Sequence, residues 1–272
     1  MKGFVDGVWS DDLRLSLADG GVLRGDGCFE TMRVYRGKAF EAGAHLARLA
    51  RSADALQLDL PSGAELAGWV AVAAEAQGDG VVRVVATRGS ALPEVDEPAH
   101  CFVFGHALPA TPNELRLLPV RAPWHGAGVD WELAGAKTLS YAPNLAAGRH
   151  SREAGFHDAL LTTAGSVVLE GPTFSVAWLV DGRLDTPSLE LDILDSITRR
   201  VVIELAQGLG IPVHEVVAPL ESVLGADEVM ALSTTKEVLP VTVVGSTTFS
   251  VGRLTKILGE AYRQRVESAL AG

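Results

Sequence analysis

The chain has 272 residues, a formal net charge of −11 and 47% hydrophobic residues, which is enough for one large domain or two modest ones. Its basic residues are dispersed among acids, which argues against a nucleic-acid-binding surface and favours a small-molecule partner. No apolar run reaches the roughly 18 residues of a membrane-spanning helix or resembles a signal peptide, so we expect a cytoplasmic protein. Cys28 and Cys101 have no metal-ligand spacing, and we expect neither a disulfide framework nor a metal site.

Residues 1–110 are predicted to form a small α+β domain. It begins with a segment that alternates like two strands joined at the turn YRGK. Two segments with apolar residues at helical spacing and two buried strands follow. In chain order these segments are 28–43, 45–58, 65–77, 81–89 and 100–108.

The second half of the chain has a different pattern. Residues 111–125 lie in a proline-rich stretch, which we interpret as an interdomain segment. Residues 126–272 are predicted to form a larger C-terminal domain, with a helix near the C-terminus. Its other predicted elements are strands at 158–165, 166–171, 174–182 and 228–235 and a helix at 194–210. Two unlike domains with a cleft between them is therefore the expected architecture.

Lys137 is one of five lysines and differs from the others in its surroundings. Small residues flank it in LAGAKTLSYAP, and no acid is adjacent. This pattern is compatible with a Schiff-base nucleophile. On local sequence alone, the alternative of a lysine that extends from a strand end into solvent remains.

Five ordered motifs decide between these alternatives. GDGCFETMRVYRGKAFEAGAHLARL is followed by KTLSYAPN, VVLEGPTFSVAWLVDGRLDTP, ILDSITR and ADEVMALSTTKEVLPV. Together they resemble the class IV pyridoxal-phosphate aminotransferases, a family that also includes D-amino acid, branched-chain and R-selective amine transaminases and 4-amino-4-deoxychorismate lyases. The resemblance implies fold type IV, a two-domain α/β structure of mixed α+β character with pyridoxal 5'-phosphate at the domain interface, and a homodimer.

The resemblance also implies roles for individual residues. Lys137 matches the lysine that forms the Schiff base with the cofactor and then moves a proton on the substrate. Glu170 matches the acid that pairs with the pyridine nitrogen. Tyr141 matches a tyrosine facing the cofactor's phenolic oxygen, although an aromatic residue packed at a helix start is an equal alternative.

The cofactor's phosphate requires a cation and hydrogen-bond donors. By the same resemblance, Arg48 is the phosphate arginine. The resemblance also assigns phosphate binding to Ile197 and Thr198 at a predicted helix N-terminus and to Thr234 and Thr235 in a loop.

The substrate is less well defined, because the motifs point to different branches. The loop 90–100 is acidic and lacks the arginine of the well-known D-amino acid enzymes, and the sequence leaves open whether His100, which begins the next strand, replaces their histidine. The branched-chain signatures are absent, GDGCFETMRV is closest to the lyases, and STTKEVLPV is closest to the D-amino acid enzymes. The candidate substrate residues are Phe29, Arg33, Arg83 and Arg88.

We therefore predict a transaminase that moves an amino group from a D-amino acid, or also from an R-amine, to a 2-oxo acid. The alternative is 4-amino-4-deoxychorismate lyase, which forms p-aminobenzoate and pyruvate. A protein that keeps the fold without the activity is disfavoured, because Lys137, Glu170 and the phosphate residues are present together.

Overall fold

The computed structural model describes residues 1–271 and divides the chain into two compact units. The first unit contains Met1–Pro109 and Ala136–Tyr141. The second contains Ala110–Gly135 and the chain from Ala142 onward.

The first unit consists of one antiparallel sheet with helices against it. Its strands lie in the order β2-β1-β6-β5-β3-β4. The elements are β1 Gly3–Val5, β2 Val8–Ser10, α1 Gly20–Arg24, β3 Gly27–Tyr35, β4 Lys38–Ala39, α2 Ala42–Ala55, α3 Gly63–Gln77, β5 Gly80–Thr87 and β6 His100–His106. The predicted hairpin, both helices and both later strands of residues 1–110 are confirmed.

Alternation along β3 gives this sheet two different faces. Met32 and Val34 are fully buried in a core with Leu49 of α2 and Val70 of α3. Burial of each such side chain contributes about 1.5–3 kcal/mol relative to exposure. The alternate residues Phe29, Thr31, Arg33 and Tyr35 are half-buried on the opposite face. One face of β3 is therefore buried in the hydrophobic core, and the side chains on its other face lie outside that core.

The second unit contains a mixed sheet in the order β11-β10-β9-β12-β13-β7-β8, with β14 paired to β13. The pairs β10/β11, β13/β7 and β7/β8 are parallel. The strands are β7 Leu115–Arg121, β8 Asp158–Thr162, β9 Ser175–Val180, β10 Arg183–Pro187, β11 Val213–Val216, β12 Glu228–Ser233, β13 Glu237–Val244 and β14 Thr247–Thr248; the helices are α4 Ala142–Glu153, α5 Ile197–Gly208, α6 Leu220–Leu224 and α7 Arg253–Ala271, with a 3₁₀ turn at Leu189–Leu191.

The helices of the second unit each bury one side. Val201 and Val202 of α5 and Leu258 and Tyr262 of α7 are buried, while charged residues occupy the other sides. Within residues 1–271, no helix is both long and apolar enough to cross a membrane.

The division of the chain differs from the predicted one in two places. Residues 136–141, predicted in the C-terminal domain, group with the first unit because their backbone pairs with β3. Residues 111–125, predicted as an interdomain segment, contain β7, which pairs with β13 and β8. A proline-rich composition hid this strand, because Pro119 lies within it.

The strand predicted at 166–171 is wrong. Val167 and Val168 make only isolated bridges, to Pro219 and Thr162. Leu169 and Glu170 still exchange backbone hydrogen bonds with Leu161, but no regular strand forms, and Gly171 bonds with Phe174 in the turn that follows. The segment is therefore an irregular loop, and Glu170 lies in it.

Candidate active site

The backbone of Lys137 is held by two elements of the first unit. The amide of Phe29 donates to the Lys137 carbonyl at 3.1 Å, and the amide of Leu139 donates to the Gly27 carbonyl at 2.8 Å. The Lys137 amide itself donates to Ser52 Oγ of α2 at 3.0 Å. These bonds fix the base of the lysine side chain against β3 and α2.

Two glycines make this close approach possible. A Cβ on Gly27 would overlap the carbonyl oxygen of Ala86 and lie 2.7 Å from Leu139 Cδ1. Gly25 has a φ of +71°, and a Cβ there would lie 2.6 Å from Ser140 Oγ. The GDG at 25–27 therefore leaves room for the lysine segment.

The Lys137 amine lies against an aromatic wall. Its Nζ is 4.5 Å from the centroid of the Phe29 ring and 3.4 Å from Tyr141 Oη. The two rings meet edge to face at 5.3 Å. Among the described residues, no carboxylate forms an ion pair with Lys137, and its amine donates a hydrogen bond to Tyr141 Oη.

Arg83 contacts the same wall. Its guanidinium carbon is 5.7 Å from the Phe29 centroid. Burial lowers the pKa of Arg83, and this effect is opposed by Tyr141. Within residues 1–271 no carboxylate pairs with it. The first unit thus brings together four predicted residues: Lys137, Tyr141, Phe29 and Arg83.

Arg48 lies in a buried ionic cluster with Glu30 and His45. Arg48 Nε donates to Glu30 Oε1 at 2.6 Å, and a terminal nitrogen donates to Oε2 at 2.8 Å. His45 Nδ1 is 2.7 Å from Oε2. Burial would raise the pKa of Glu30, but hydrogen bonds from Arg48 and His45 and their charge lower it to about 2. Burial lowers the pKa of His45.

This cluster lies near the lysine. Lys137 is close enough to His45 to contribute to lowering its pKa. Ser52, which binds the Lys137 amide, is one turn after Arg48 on α2. Arg48 is therefore held rigidly on the helix face that also carries the lysine segment.

The other two candidate arginines are engaged elsewhere. Arg88 binds both carboxylate oxygens of Asp26 and the carbonyls of Leu56 and Gln57, so its donors hold three segments together. Arg33 donates to the Gly80 carbonyl and lies over the Tyr35 ring. None of these contacts of Arg33 and Arg88 involves the Lys137 amine.

In the second unit, Glu170 is positioned by a loop rather than a strand. Its Oε1 accepts from the Leu194 amide at 3.4 Å and is 3.7 Å from His125 Nε2. The Nδ1 atom of His125 is buried and has no hydrogen-bond partner in the described part of the chain. The carboxylate thus lies beside the segment that precedes α5 and beside a histidine whose Nδ1 has no hydrogen-bond partner within residues 1–271.

The helix predicted around DSITRR begins at Ile197, as expected. Ile197 and Thr198 are buried in the first turn of α5, and the Ser196 side chain caps it by accepting from the Arg199 amide at 3.2 Å. Arg199 is 1% exposed and donates to Thr186 Oγ1 and to the Pro187 carbonyl. This helix N-terminus is therefore fixed to β10, with amides that favour an anion.

Thr234 and Thr235 lie half-buried in the turn between β12 and β13. Lys236, next in the chain, places its Nζ 3.5 Å from Thr173 Oγ1, three residues after Glu170. Burial lowers the pKa of Lys236, and Asp158 opposes this effect. The contacts Glu170–Leu194 and Thr173–Lys236 connect the loop that contains Glu170 to the residues before α5 and to the turn between β12 and β13.

These side chains have the chemistry that pyridoxal phosphate requires. Lys137 offers an amine for an aldehyde, and Glu170 offers a carboxylate for a pyridine nitrogen. Arg48, the α5 N-terminus and the two threonines offer the charge and donors that suit a phosphate dianion. The donor set therefore fits the cofactor.

The sequence motifs do not predict some residues of this arrangement. Glu30 and His45 carry a usable signal: an acid on the core face of β3, and a histidine three residues before Arg48 on one helix face. Ser52 and His125 carry no such signal, because their partners are distant in sequence.

Comparison with known proteins identifies the family. The model of the family described as amino-transferase class IV matches residues 27–244. The "Putative branched-chain-amino-acid aminotransferase" of Methanocaldococcus jannaschii is 32% identical over 97% of this chain and 96% of its own. A D-alanine aminotransferase of Staphylococcus epidermidis is 28% identical over 98% of each chain.

Solved structures agree. A fold IV transaminase from Curtobacterium pusillum matches with a TM-score of 0.87 at 28% identity, covering 96% of this chain and 92% of its own. A hypothetical aminotransferase from Mycobacterium tuberculosis, in a form with pyridoxal phosphate bound, gives 0.88 at 26%, covering 97% and 99%. The 4-amino-4-deoxychorismate lyase of Pseudomonas aeruginosa gives 0.82 at 28%, covering 96% and 98%.

The chain belongs to the class IV aminotransferases. It is a pyridoxal-phosphate-dependent enzyme of fold type IV, and its family implies an amino donor and a 2-oxo acid acceptor as substrates.

The Glu30 cluster predicts a specific pH dependence of stability. The pKa of Glu30 is about 2 in the folded chain and has an ordinary value of 4.5. The stability from its ion pairs is therefore fully present above pH 4.5 and is lost as the pH falls from 4.5 towards 2. Glu30→Gln should flatten this dependence and destabilise the fold at neutral pH by roughly 3–5 kcal/mol, because Arg48 loses its buried counter-charge.

Urea unfolding across this pH range measures both effects. Glu75→Gln, an exposed change on α3, is the control and should match the unchanged protein. An unaltered stability profile for Glu30→Gln would contradict the role of the cluster.

Proposed function

We propose that this enzyme transfers an amino group from a D-amino acid to a 2-oxo acid. Support comes from the D-alanine aminotransferases among its relatives, from the STTKE turn and from the missing branched-chain signatures. An R-amine would be a secondary donor. The enzyme would act as a homodimer in the cytoplasm; sedimentation and cell fractionation test these two points, and a monomer or a secreted protein would contradict them.

Each residue has a defined task in this proposal. Pyridoxal phosphate, when bound, supplies an electron-accepting ring that stabilises negative charge at the substrate Cα. The Lys137 amine, once the substrate has displaced it from the cofactor, would remove the Cα proton and return a proton to C4′ of the cofactor. The Phe29 and Tyr141 rings exclude water on one side of this amine. Glu170 would hold a proton at the pyridine nitrogen, and Tyr141 would hydrogen-bond the phenolic oxygen.

The phosphate is assigned to residues of different kinds. Arg48 contributes charge from a site in which Glu30 fixes its orientation. Ile197 and Thr198 contribute the amides of the first α5 turn, and Thr234 and Thr235 contribute hydroxyl groups.

The position of Arg83 is the observation that supports an amino acid as the substrate. The Phe29 ring contacts both the Lys137 amine and the Arg83 guanidinium. An amino acid presents an amino group and a carboxylate on one carbon, and a carboxylate in a water-poor pocket requires a cationic partner. Arg83 has no carboxylate partner within residues 1–271, so it is the residue to which we assign the substrate carboxylate.

A second candidate is 4-amino-4-deoxychorismate lyase. The similarity to the Pseudomonas aeruginosa lyase and the GDGCFETMRV motif favour it. The same lysine would remove a proton, after which the substrate would lose pyruvate instead of exchanging its amino group.

One assay separates these functions. Purified enzyme with pyridoxal phosphate should form pyruvate and glutamate from D-alanine and 2-oxoglutarate, with little turnover of L-valine. The same enzyme should release little p-aminobenzoate from 4-amino-4-deoxychorismate. A preparation that retains cofactor but makes only p-aminobenzoate would contradict the transaminase and establish the lyase.

Arg83→Gln tests the carboxylate assignment. Loss of a charged hydrogen bond costs about 1.5–3 kcal/mol, so KM for D-alanine should rise roughly 10- to 100-fold. Arg116→Gln is the matched control, because Arg116 is an exposed arginine on β7. An unchanged KM in Arg83→Gln would exclude Arg83 from carboxylate binding.

A further inference from the structure

His106 contacts Arg83 in a way that the family resemblance does not assign. It is the last residue of β6, and its Nε2 lies 3.2 Å from Arg83 Nε. Its Nδ1 lies 2.7 Å from the carbonyl oxygen of Ala107. In the sheet, His106 faces Val81, two residues before Arg83, so His106 and Arg83 are diagonal neighbours on one face.

Only one protonation state of His106 satisfies both contacts. A carbonyl oxygen can only accept, so Nδ1 must carry the hydrogen. The Nε of arginine can only donate, so Nε2 must carry the lone pair. A doubly protonated ring would direct an N–H towards the Arg83 Nε–H. The geometry therefore specifies the neutral Nδ1–H tautomer.

This contact restricts how Arg83 can bind a ligand. A guanidinium can bind a carboxylate through two N–H groups along its side edge, which includes Nε, or along its end edge, formed by the two terminal nitrogens. His106 occupies Nε. The terminal nitrogens have no hydrogen bond to any residue in the described part of the chain, so the end edge remains.

The Phe29 ring fixes the guanidinium from a second direction. Phe29 lies two residues before Thr31, which pairs with Arg83 across β3 and β5, so ring and guanidinium share a sheet face. The distance of 5.7 Å allows a cation–π contact. Arg83 is thus held at Nε and over the ring, while its end edge stays open.

We propose that His106 is a positioning residue for the substrate carboxylate: as the neutral Nδ1–H tautomer it holds Arg83 Nε and presents the two terminal nitrogens to the substrate. The proposal rests on the proposed function, because it assumes that Arg83 binds that carboxylate. His106 touches neither substrate nor cofactor and acts through Arg83 alone.

Two variants of His106 test this role. His106→Phe keeps an aromatic ring but removes the acceptor, and KM for D-alanine should rise roughly 5- to 10-fold with kcat nearly unchanged. His106→Gln can place an amide oxygen near the position of Nε2. Its KM for D-alanine should therefore lie within about 2-fold of that of the unchanged protein. An equal KM in all three proteins, or a fall in kcat alone, would overturn the proposal.

A double-mutant cycle separates this inference from the proposed function. In an Arg83→Gln background, His106→Phe should change KM by less than about 2-fold, because the residue it positions is gone. The same 5- to 10-fold effect in that background would show a general structural role and overturn the inference. If Arg83→Gln alone leaves KM unchanged, the carboxylate assignment of the proposed function fails instead.

The tautomer provides a test that does not depend on activity or on variant folding. Nitrogen-15 NMR of the histidine rings, with the His106 signals assigned by their loss in His106→Gln, should show a protonated Nδ1 and a bare Nε2 at neutral pH. A protonated Nε2 would contradict the hydrogen bond from Arg83.

Discussion

The pairing of the Lys137 segment with the start of β3 is the constraint on which the rest of the active-site account depends. Two backbone hydrogen bonds to β3 and one to Ser52 fix Lys137 at its main chain. Because the main chain is already fixed, only the side chain, with about 2 kcal/mol of rotamer entropy, remains to be ordered when the amine is positioned. Gly25 and Gly27 permit this pairing, because any side chain there would collide with the segment.

The alternation of β3 then assigns two tasks to one strand. Its core face carries Glu30, which holds Arg48 and His45, while its other face carries Phe29, which contacts Lys137 and Arg83. A slip of one residue in register would exchange these faces and move both sets of contacts. Because β3 pairs with β5 from Gly27 to Val34, the register is strongly determined. The ionic cluster and the aromatic wall are therefore two consequences of one strand pairing.

Much of this arrangement could be predicted from the sequence, because the signals are local. Alternation predicted β3, a buried apolar run predicted β5, apolar spacing predicted α2 and α3, and the DSITR motif predicted the α5 N-terminus. What could not be predicted depends on partners distant in the chain. Residues 136–141 join the first unit through bonds to residues 85 to 115 positions earlier, which no local pattern reveals. The engagement of Arg88 by Asp26 and two carbonyls is of the same kind, and so is the contact between Arg83 and His106.

The central claim is that Lys137 provides the amine that binds the cofactor, and peptide mapping tests it most directly. The protein should be incubated with pyridoxal phosphate, reduced with borohydride, digested and analysed by mass spectrometry. The account predicts the cofactor mass on the peptide containing Lys137, and no stable attachment in Lys137→Ala, while Lys256→Ala, an exposed change on α7, should behave like the unchanged protein. Attachment at Lys236 instead, or attachment that persists in Lys137→Ala, would contradict the account.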